Sequence, residues 1–147
     1  MSDWLFDLGN TRLKLAPLAA DGGTGPVSAF GHDGAAFDAA WAAALPARID
    51  VAWVASVGPA ALRASLLKAL VPRALRVVEV RVEAEMAGVR IGYPDPARLG
   101  VDRALALVGA RARTPGWALV VGVGTALTVD LLDASGRHHG GAIAPSP

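Results

Sequence analysis

Two short stretches of this 147-residue chain share one construction and carry the residue types that hold phosphate. Phe6-Asp7-Leu8-Gly9-Asn10-Thr11 and Val121-Gly122-Val123-Gly124-Thr125 each run from an apolar strand through a small or acidic residue to a glycine, then to threonine at a turn. Beyond each turn the apolar alternation resumes, as Leu13 and Leu15 in the first and Leu127 and Val129 in the second, so both read as strand-turn-strand hairpins. Asp7 and Gly122 stand 115 residues apart, the scale of a domain duplication rather than a solenoid repeat. Glycines and hydroxyls at hairpin tips leave backbone N–H groups to cradle phosphate oxygens, and Asp7 can hold the water shell of a magnesium ion. A pair of such hairpins points to nucleotide chemistry.

The octet Asp7-Leu8-Gly9-Asn10-Thr11-Arg12-Leu13-Lys14 places a carboxylate at the end of a strand, a tight turn, and a basic residue on the return strand. Negative, polar and positive groups then surround one point, which suits a magnesium nucleotide. The same residues also fit a plain hairpin in which Asn10 and Thr11 serve turn chemistry and Asp7 pairs with Lys14. A second candidate is Gly100-Val101-Asp102-Arg103, at the start of a predicted helix. Asp102 there is either a first-turn acid that complements the helix dipole or a base, and Arg103 offers a planar fork for a carboxylate. Tyr93-Pro94-Asp95-Pro96 and Gly100 form a stiff loop leading into that helix.

The elements that must position these groups are strands at Trp4 to Leu8, Arg12 to Leu18 and Val27 to Phe30, separated by the turn Asp21-Gly22-Gly23-Thr24-Gly25. Phe37, Trp41 and Leu45 recur at every fourth position and predict a helix ending before Pro46. Val51 to Ala55 is a continuous apolar run of the kind buried on both faces of a sheet. Pro59 then opens a helix with Leu62, Leu66 and Leu70 as its core stripe, and Leu75 to Val82 predicts a further strand. This order predicts an α/β chain whose first domain, residues 1–90, is a ribonuclease-H-like mixed sheet with helices on its faces. Residues 91–147 read as a linker and a helix from Arg98 with Leu105, Val108 and Ala112 on one face, then strands Trp117 to Val123, Ala126 to Leu132 and Arg137 to Ile143. That is the opening of a second, similar domain, and because it stops before any covering helix the chain is expected to be a truncated fragment, inactive by itself.

Composition excludes several classes. Net charge is +1 with no block of like charges, which disfavours nucleic acid and anionic membrane. No apolar run approaches the roughly 18 residues of a membrane span, and Met1-Ser2-Asp3-Trp4 lacks the pattern of a secretion signal. The absence of cysteine removes disulfides and thiolate zinc sites, leaving a cytoplasmic soluble protein as the expectation.

The octet Asp7 to Lys14, the stretch Tyr93-Pro94-Asp95-Pro96-Ala97-Arg98-Leu99-Gly100-Val101-Asp102-Arg103, the hairpin Gly124-Thr125-Ala126-Leu127-Thr128-Val129-Asp130 and Gly140-Gly141-Ala142-Ile143-Ala144-Pro145 together resemble the type III pantothenate kinase, or Bvg accessory factor, family. The resemblance implies the actin-like ATPase fold of the acetate and sugar kinase superfamily, a homodimer, and phosphorylation of pantothenate by ATP with Mg2+ in the first step of coenzyme A synthesis. It implies that Asp7, Leu8, Gly9, Asn10, Thr11, Arg12, Leu13 and Lys14 form the first phosphate loop, with Asp7 near the metal, and that Thr125 contacts ATP from the second. It implies that Asp102 is the base, that Gly100, Val101 and Arg103 line the pantothenate site, with Arg103 suited to its carboxylate, and that Tyr93 packs at the same pocket.

Three positions depart from the family's pattern. Gly122 stands where the family usually has an aspartate that binds potassium or ammonium, so the ligand for a monovalent cation is absent. That leaves open a kinase freed of the cation, a kinase with a substitute ligand, or a nucleotide-binding regulatory protein of the same fold without kinase activity. Asp95 and Ser146 replace a commoner asparagine and glycine. Outside the motifs, His138 and His139 must point to opposite faces of a strand and are expected in solvent. Trp4, Trp41, Trp53 and Trp117 are expected in the core, and Asp130 and Asp133 flank the end of a strand and read as turn and strand-end acids.

Overall fold

The computed structural model describes residues 2–146. The chain divides into two compact units, Met1–Val80 and Arg81–Pro147. The first is a five-stranded mixed sheet in the order β3-β2-β1-β4-β5, built from β1 (Asp3–Leu8), β2 (Arg12–Leu18), β3 (Ser28–Gly31), β4 (Ile49–Ser56) and β5 (Ala74–Glu79). β1, β2 and β3 form an antiparallel meander, while β4 runs parallel to both β1 and β5. This is the expected mixed α/β arrangement. Helix α1 (Ala60–Leu70) makes the crossover between β4 and β5, and all three residues of its predicted stripe, Leu62, Leu66 and Leu70, are buried in the core with Phe6, Leu8, Leu13 and Val54. Pro59, whose lack of an N–H costs nothing at a helix start, occupies the N-cap.

The helix predicted through Phe37, Trp41 and Leu45 does not form; only a 3-10 turn, Ala42–Ala44, occupies that stretch. Asp38 explains the difference. Its carboxylate accepts the Gly31 N–H at 2.7 Å while its own N–H donates to Gly31 O at 3.0 Å, so the backbone at Phe37 and Asp38 is hooked onto the end of β3 and cannot enter a helix. Phe37 and Trp41 still pack together, with ring centroids 4.5 Å apart.

The second unit holds a hairpin of β6 (Glu85–Met86) and β7 (Val89–Arg90), helix α2 (Val101–Arg113), and a three-stranded antiparallel sheet of β8 (Ala118–Val123), β9 (Ala126–Leu132) and β10 (His138–Pro145). Residues 81–90, grouped with the first domain on sequence, lie in this unit, where Val82, Met86 and Val89 pack in its core. The small hairpin turns at Ala87 (φ 46) and Gly88 (φ 81), both left-handed as a two-residue turn of this kind requires. The core face of α2 is Val101, Ala104 and Leu107 with Val108 partly buried, not Leu105, Val108 and Ala112; Leu105 is exposed and the register is rotated so that Arg103 turns inward. Trp117 is also outside the core, 64% exposed and stacked on His139.

Candidate functional site

The first hairpin is set by register. β1 and β2 pair with Asp7 opposite Lys14 and Leu8 opposite Leu13, and the Gly9 N–H closes the turn on Arg12 O at 2.9 Å. Strand alternation sends Phe6, Leu8, Leu13 and Leu15 into the core, which leaves Asp7 and Lys14 together on the opposite face, half exposed, with Lys14 Nζ 3.4 Å from Asp7 Oδ2. An exposed pair at that distance holds its partners loosely. The tip residues Asn10 and Thr11 and the flanking Arg12 are exposed.

Two features beneath this loop were not read from the sequence. The loop after β4 packs against it: the N–H groups of Val57 and Gly58 both donate to Leu8 O, at 2.9 and 3.0 Å. A Cβ at Gly58 would stand 2.7 Å from Gly9 O and 2.8 Å from Leu8 Cγ, so this approach requires glycine. On the other side, His32 Nε2 lies 3.0 Å from Gly9 O while the Gly34 N–H donates to His32 Nδ1 at 3.2 Å. Since Nδ1 accepts, Nε2 carries the hydrogen and donates to the Gly9 carbonyl. The loop therefore sits at the carboxyl ends of two parallel strands, β1 and β4, where open α/β sheets bind ligands. Ser56 Oγ, on the residue paired with Leu8, is buried there without a hydrogen-bond partner. An accessible carboxylate, a lysine and a turn carrying Asn10 and Thr11 fit a magnesium ion that keeps most of its waters and takes its remaining ligands from phosphates. Among the described residues no cluster of three or more histidine or acidic side chains offers an all-protein metal cage.

In the second unit the stiff loop behaves as predicted. Asp95 Oδ1 accepts the Ala97 N–H at 3.1 Å, Pro96 opens a 3-10 turn, Leu99 is buried, and Gly100 is the N-cap of α2. Asp102 lies exposed in the first helical turn, with Oδ1 accepting the Arg103 N–H at 2.9 Å. Val101 and Arg103 face inward. A cavity of about 300 Å3 opens beside Tyr93, lined also by Arg90, Ile91, Gly92, Pro94 and Arg137.

The guanidinium fork of Arg103 meets an internal carboxylate. Its Nε and Nη2 donate to Asp130 Oδ2 and Oδ1 at 2.8 and 2.6 Å, with Asp130 almost fully buried. That hydrogen bond holds the Arg103 pKa above its ordinary value, and Tyr93 adds to the effect. Asp130 is thus a buried ion-pair partner and not the simple turn or strand-end acid expected from sequence. His138, expected in solvent, is fully buried with Nε2 2.9 Å from Asp130 Oδ1 and its ring edge-on to Tyr93 at 5.3 Å. The Tyr93 hydroxyl accepts the Gly141 N–H at 3.3 Å. Adjacent His139 points the other way, as strand geometry demands, and bonds Asp133 at 2.7 Å. Asp133 takes the Ser135 and Arg137 N–H groups in the turn before β10.

The second hairpin tip, Gly124 and Thr125 between β8 and β9, is exposed. Gly122 pairs with Thr128, whose Oγ1 would lie 2.6 Å from a Cβ at position 122. A carboxylate at this position would therefore require Thr128 to rotate.

The model of the family described as type III pantothenate kinase matches residues 4–146. A curated relative of that name from Xanthomonas euvesicatoria pv. vesicatoria (strain 85-10) is 55% identical over 147 residues, covering 100% of this chain and 59% of its own length. One from Xanthomonas campestris pv. campestris (strain B100) is 56% identical over 148 residues with the same coverage. This chain thus spans somewhat under two thirds of the curated relatives it matches. The solved structure of YeaZ from Pseudomonas aeruginosa aligns with 99% of this chain and 69% of its own at 12% identity and a TM-score of 0.34, too loose a likeness to argue from. With the family model covering nearly every residue and relatives more than half identical, this chain belongs to the type III pantothenate kinase family.

Proposed function

We propose that the protein carrying this chain transfers the γ-phosphoryl group of ATP to a hydroxyl of pantothenate, giving 4'-phosphopantothenate in the first step of coenzyme A synthesis. Family membership supports the reaction, and the single observation that carries the mechanism is Asp102. It is exposed at the start of α2, one carboxylate oxygen is fixed by the Arg103 N–H, and the other makes no hydrogen bond among the described residues. An oriented carboxylate with one oxygen to spare is suited to take the acceptor hydroxyl's proton. As that proton moves to Asp102, the hydroxyl oxygen bonds to the γ-phosphorus, the bond from phosphorus to the bridging oxygen breaks, and ADP leaves with the electron pair.

Residues Asp7 through Lys14 hold the nucleotide's phosphates, the exposed tip at Asn10 and Thr11 presenting its amides and Lys14 its charge. Asp7 would hold a magnesium ion, which would supply neutralisation of charge on the phosphate oxygens. Thr125 contacts the nucleotide from the second hairpin, and Tyr93, Gly100, Val101 and Arg103 line the acceptor pocket. The protein works as a cytoplasmic homodimer. No described helix is long and apolar enough to cross a membrane. Gly122 supplies no side-chain oxygen for potassium or ammonium, so turnover proceeds without that ligand.

Asp102→Asn in the complete protein tests the assignment. Turnover should fall by about 10² to 10⁴, the usual worth of a positioned base, with ATP affinity changed by no more than a few fold. A variant that retains more than about a tenth of the wild-type rate removes Asp102 from the role.

A further inference from the structure

The buried network under the acceptor loop does not match the task that Arg103 would have as a free carboxylate clamp. Both atoms of its fork edge are spent on Asp130, and the pair is nearly water-free. An ion pair so deep brings little net stability unless its remaining hydrogen bonds are met. Here they are met: Asp130 Oδ1 takes the His138 Nε2 hydrogen as well as that of Arg103 Nη2. The Gly92 N–H points at His138 Nδ1 from 3.5 Å, which keeps Nε2 as the donor. Tyr93 leans on the His138 ring and receives the Gly141 N–H.

The surrounding glycines are shaped to this cluster. A Cβ at Gly141 would collide with Asp130 Oδ1, with Val129 O and, at 2.5 Å, with Arg103 Nη2. A Cβ at Gly92 would fall on the His138 carbonyl oxygen. α2, β9, β10 and the Tyr93 loop thus converge on one carboxylate, and Tyr93 also bears on the Arg103 guanidinium.

We infer that Asp130 and His138 are positioning residues for the acceptor pocket: they lock the guanidinium of Arg103 and, through His138, the Tyr93 ring into the pose in which these meet the substrate. Neither touches substrate. The inference rests on the pantothenate kinase reading and adds that the orientation of Arg103 is set from within.

The test is steady-state kinetics of the complete protein for wild type, Asp130→Asn, His138→Gln, Arg103→Gln and the double variant Asp130→Asn/Arg103→Gln. Asp130→Asn should raise KM for pantothenate at least tenfold while KM for ATP stays within about twofold, a split that a merely structural defect does not produce. Because Asp130 acts through Arg103, adding Asp130→Asn to Arg103→Gln should change KM little further. His138→Gln leaves the ion pair in place and so guards against misfolding of Asp130→Asn; it should show the same split in smaller degree. An unchanged pantothenate KM in soluble Asp130→Asn or His138→Gln, or independent multiplication of effects in the double variant, overturns the inference while leaving the kinase reading intact. A wild-type protein that releases no ADP with pantothenate overturns both.

Discussion

Gly58→Ala isolates the support under the first phosphate loop. Its backbone torsion is not one that demands glycine, so by chain entropy alone the alanine variant should be more stable by about 0.4–1 kcal/mol. Sterics oppose this. The new methyl would lie 2.7 Å from Gly9 O and 2.8 Å from Leu8 Cγ. Gly9 O is backbone, held by His32 at 3.0 Å, and Leu8 is wholly buried, so neither neighbour yields cheaply. Overpacking of this kind costs about 1–3 kcal/mol, which exceeds the entropic gain and leaves a net loss of about 1–2 kcal/mol. With a urea slope of about 1–3 kcal/mol per molar, the unfolding midpoint should drop by about 0.3–2 M. Gly109, on the exposed side of α2 with nothing within 4 Å of its virtual Cβ, supplies the control. Gly109→Ala should stabilise by about 0.5–1 kcal/mol, since alanine suits a helix interior better. Nucleotide affinity measured by calorimetry should fall in Gly58→Ala and stay constant in Gly109→Ala. A Gly58→Ala protein as stable as wild type, with unaltered ATP affinity, would refute the packing argument.

The β9–β10 turn should be acid-sensitive. Asp133 is held well below the ordinary carboxylate range, first by His139 and then by the Ser135 hydroxyl and the Arg137 N–H. A depressed carboxylate stabilises the fold above its unfolded value near pH 4, and that contribution is lost as pH falls through the folded value. The difference in thermal midpoint between wild type and Asp133→Asn should therefore shrink from about pH 5 to about pH 2, and a pH-independent difference would count against it. At Gly122, the complete protein should show little activation by potassium over sodium at constant ionic strength. Gly122→Asp should introduce a dependence once Thr128 has turned aside, and a steep potassium requirement in the wild type would show that another oxygen supplies the site.

Much of the frame was legible because it depends on local pattern. Alternating Phe6, Leu8, Leu13 and Leu15 around Gly9 dictate the first hairpin, and Leu62, Leu66 and Leu70 behind Pro59 dictate α1. The helix at Phe37, Trp41 and Leu45 was misread because its spacing is helical while a side chain of the same segment, Asp38, prefers the Gly31 N–H. The buried polar cluster was hidden for a different reason. Arg103 and Asp130 are 27 residues apart, and which of two adjacent histidines turns inward depends on the register of β10, which shifts between His138 and Gly141. The signal that pointed to it was the Gly140-Gly141 motif beside Tyr93's loop: Gly140 holds a left-handed φ of 95, and Gly141 leaves the space that Asp130 and Arg103 occupy.

The measurement that bears most directly on the central claim is release of ADP by the complete protein, followed in a coupled assay with ATP and magnesium, with and without pantothenate. The account predicts ADP formation that depends on pantothenate, saturates with it, and yields one phosphorylated acceptor per ADP. ADP release at the same rate in its absence, or none under any cation, would contradict it.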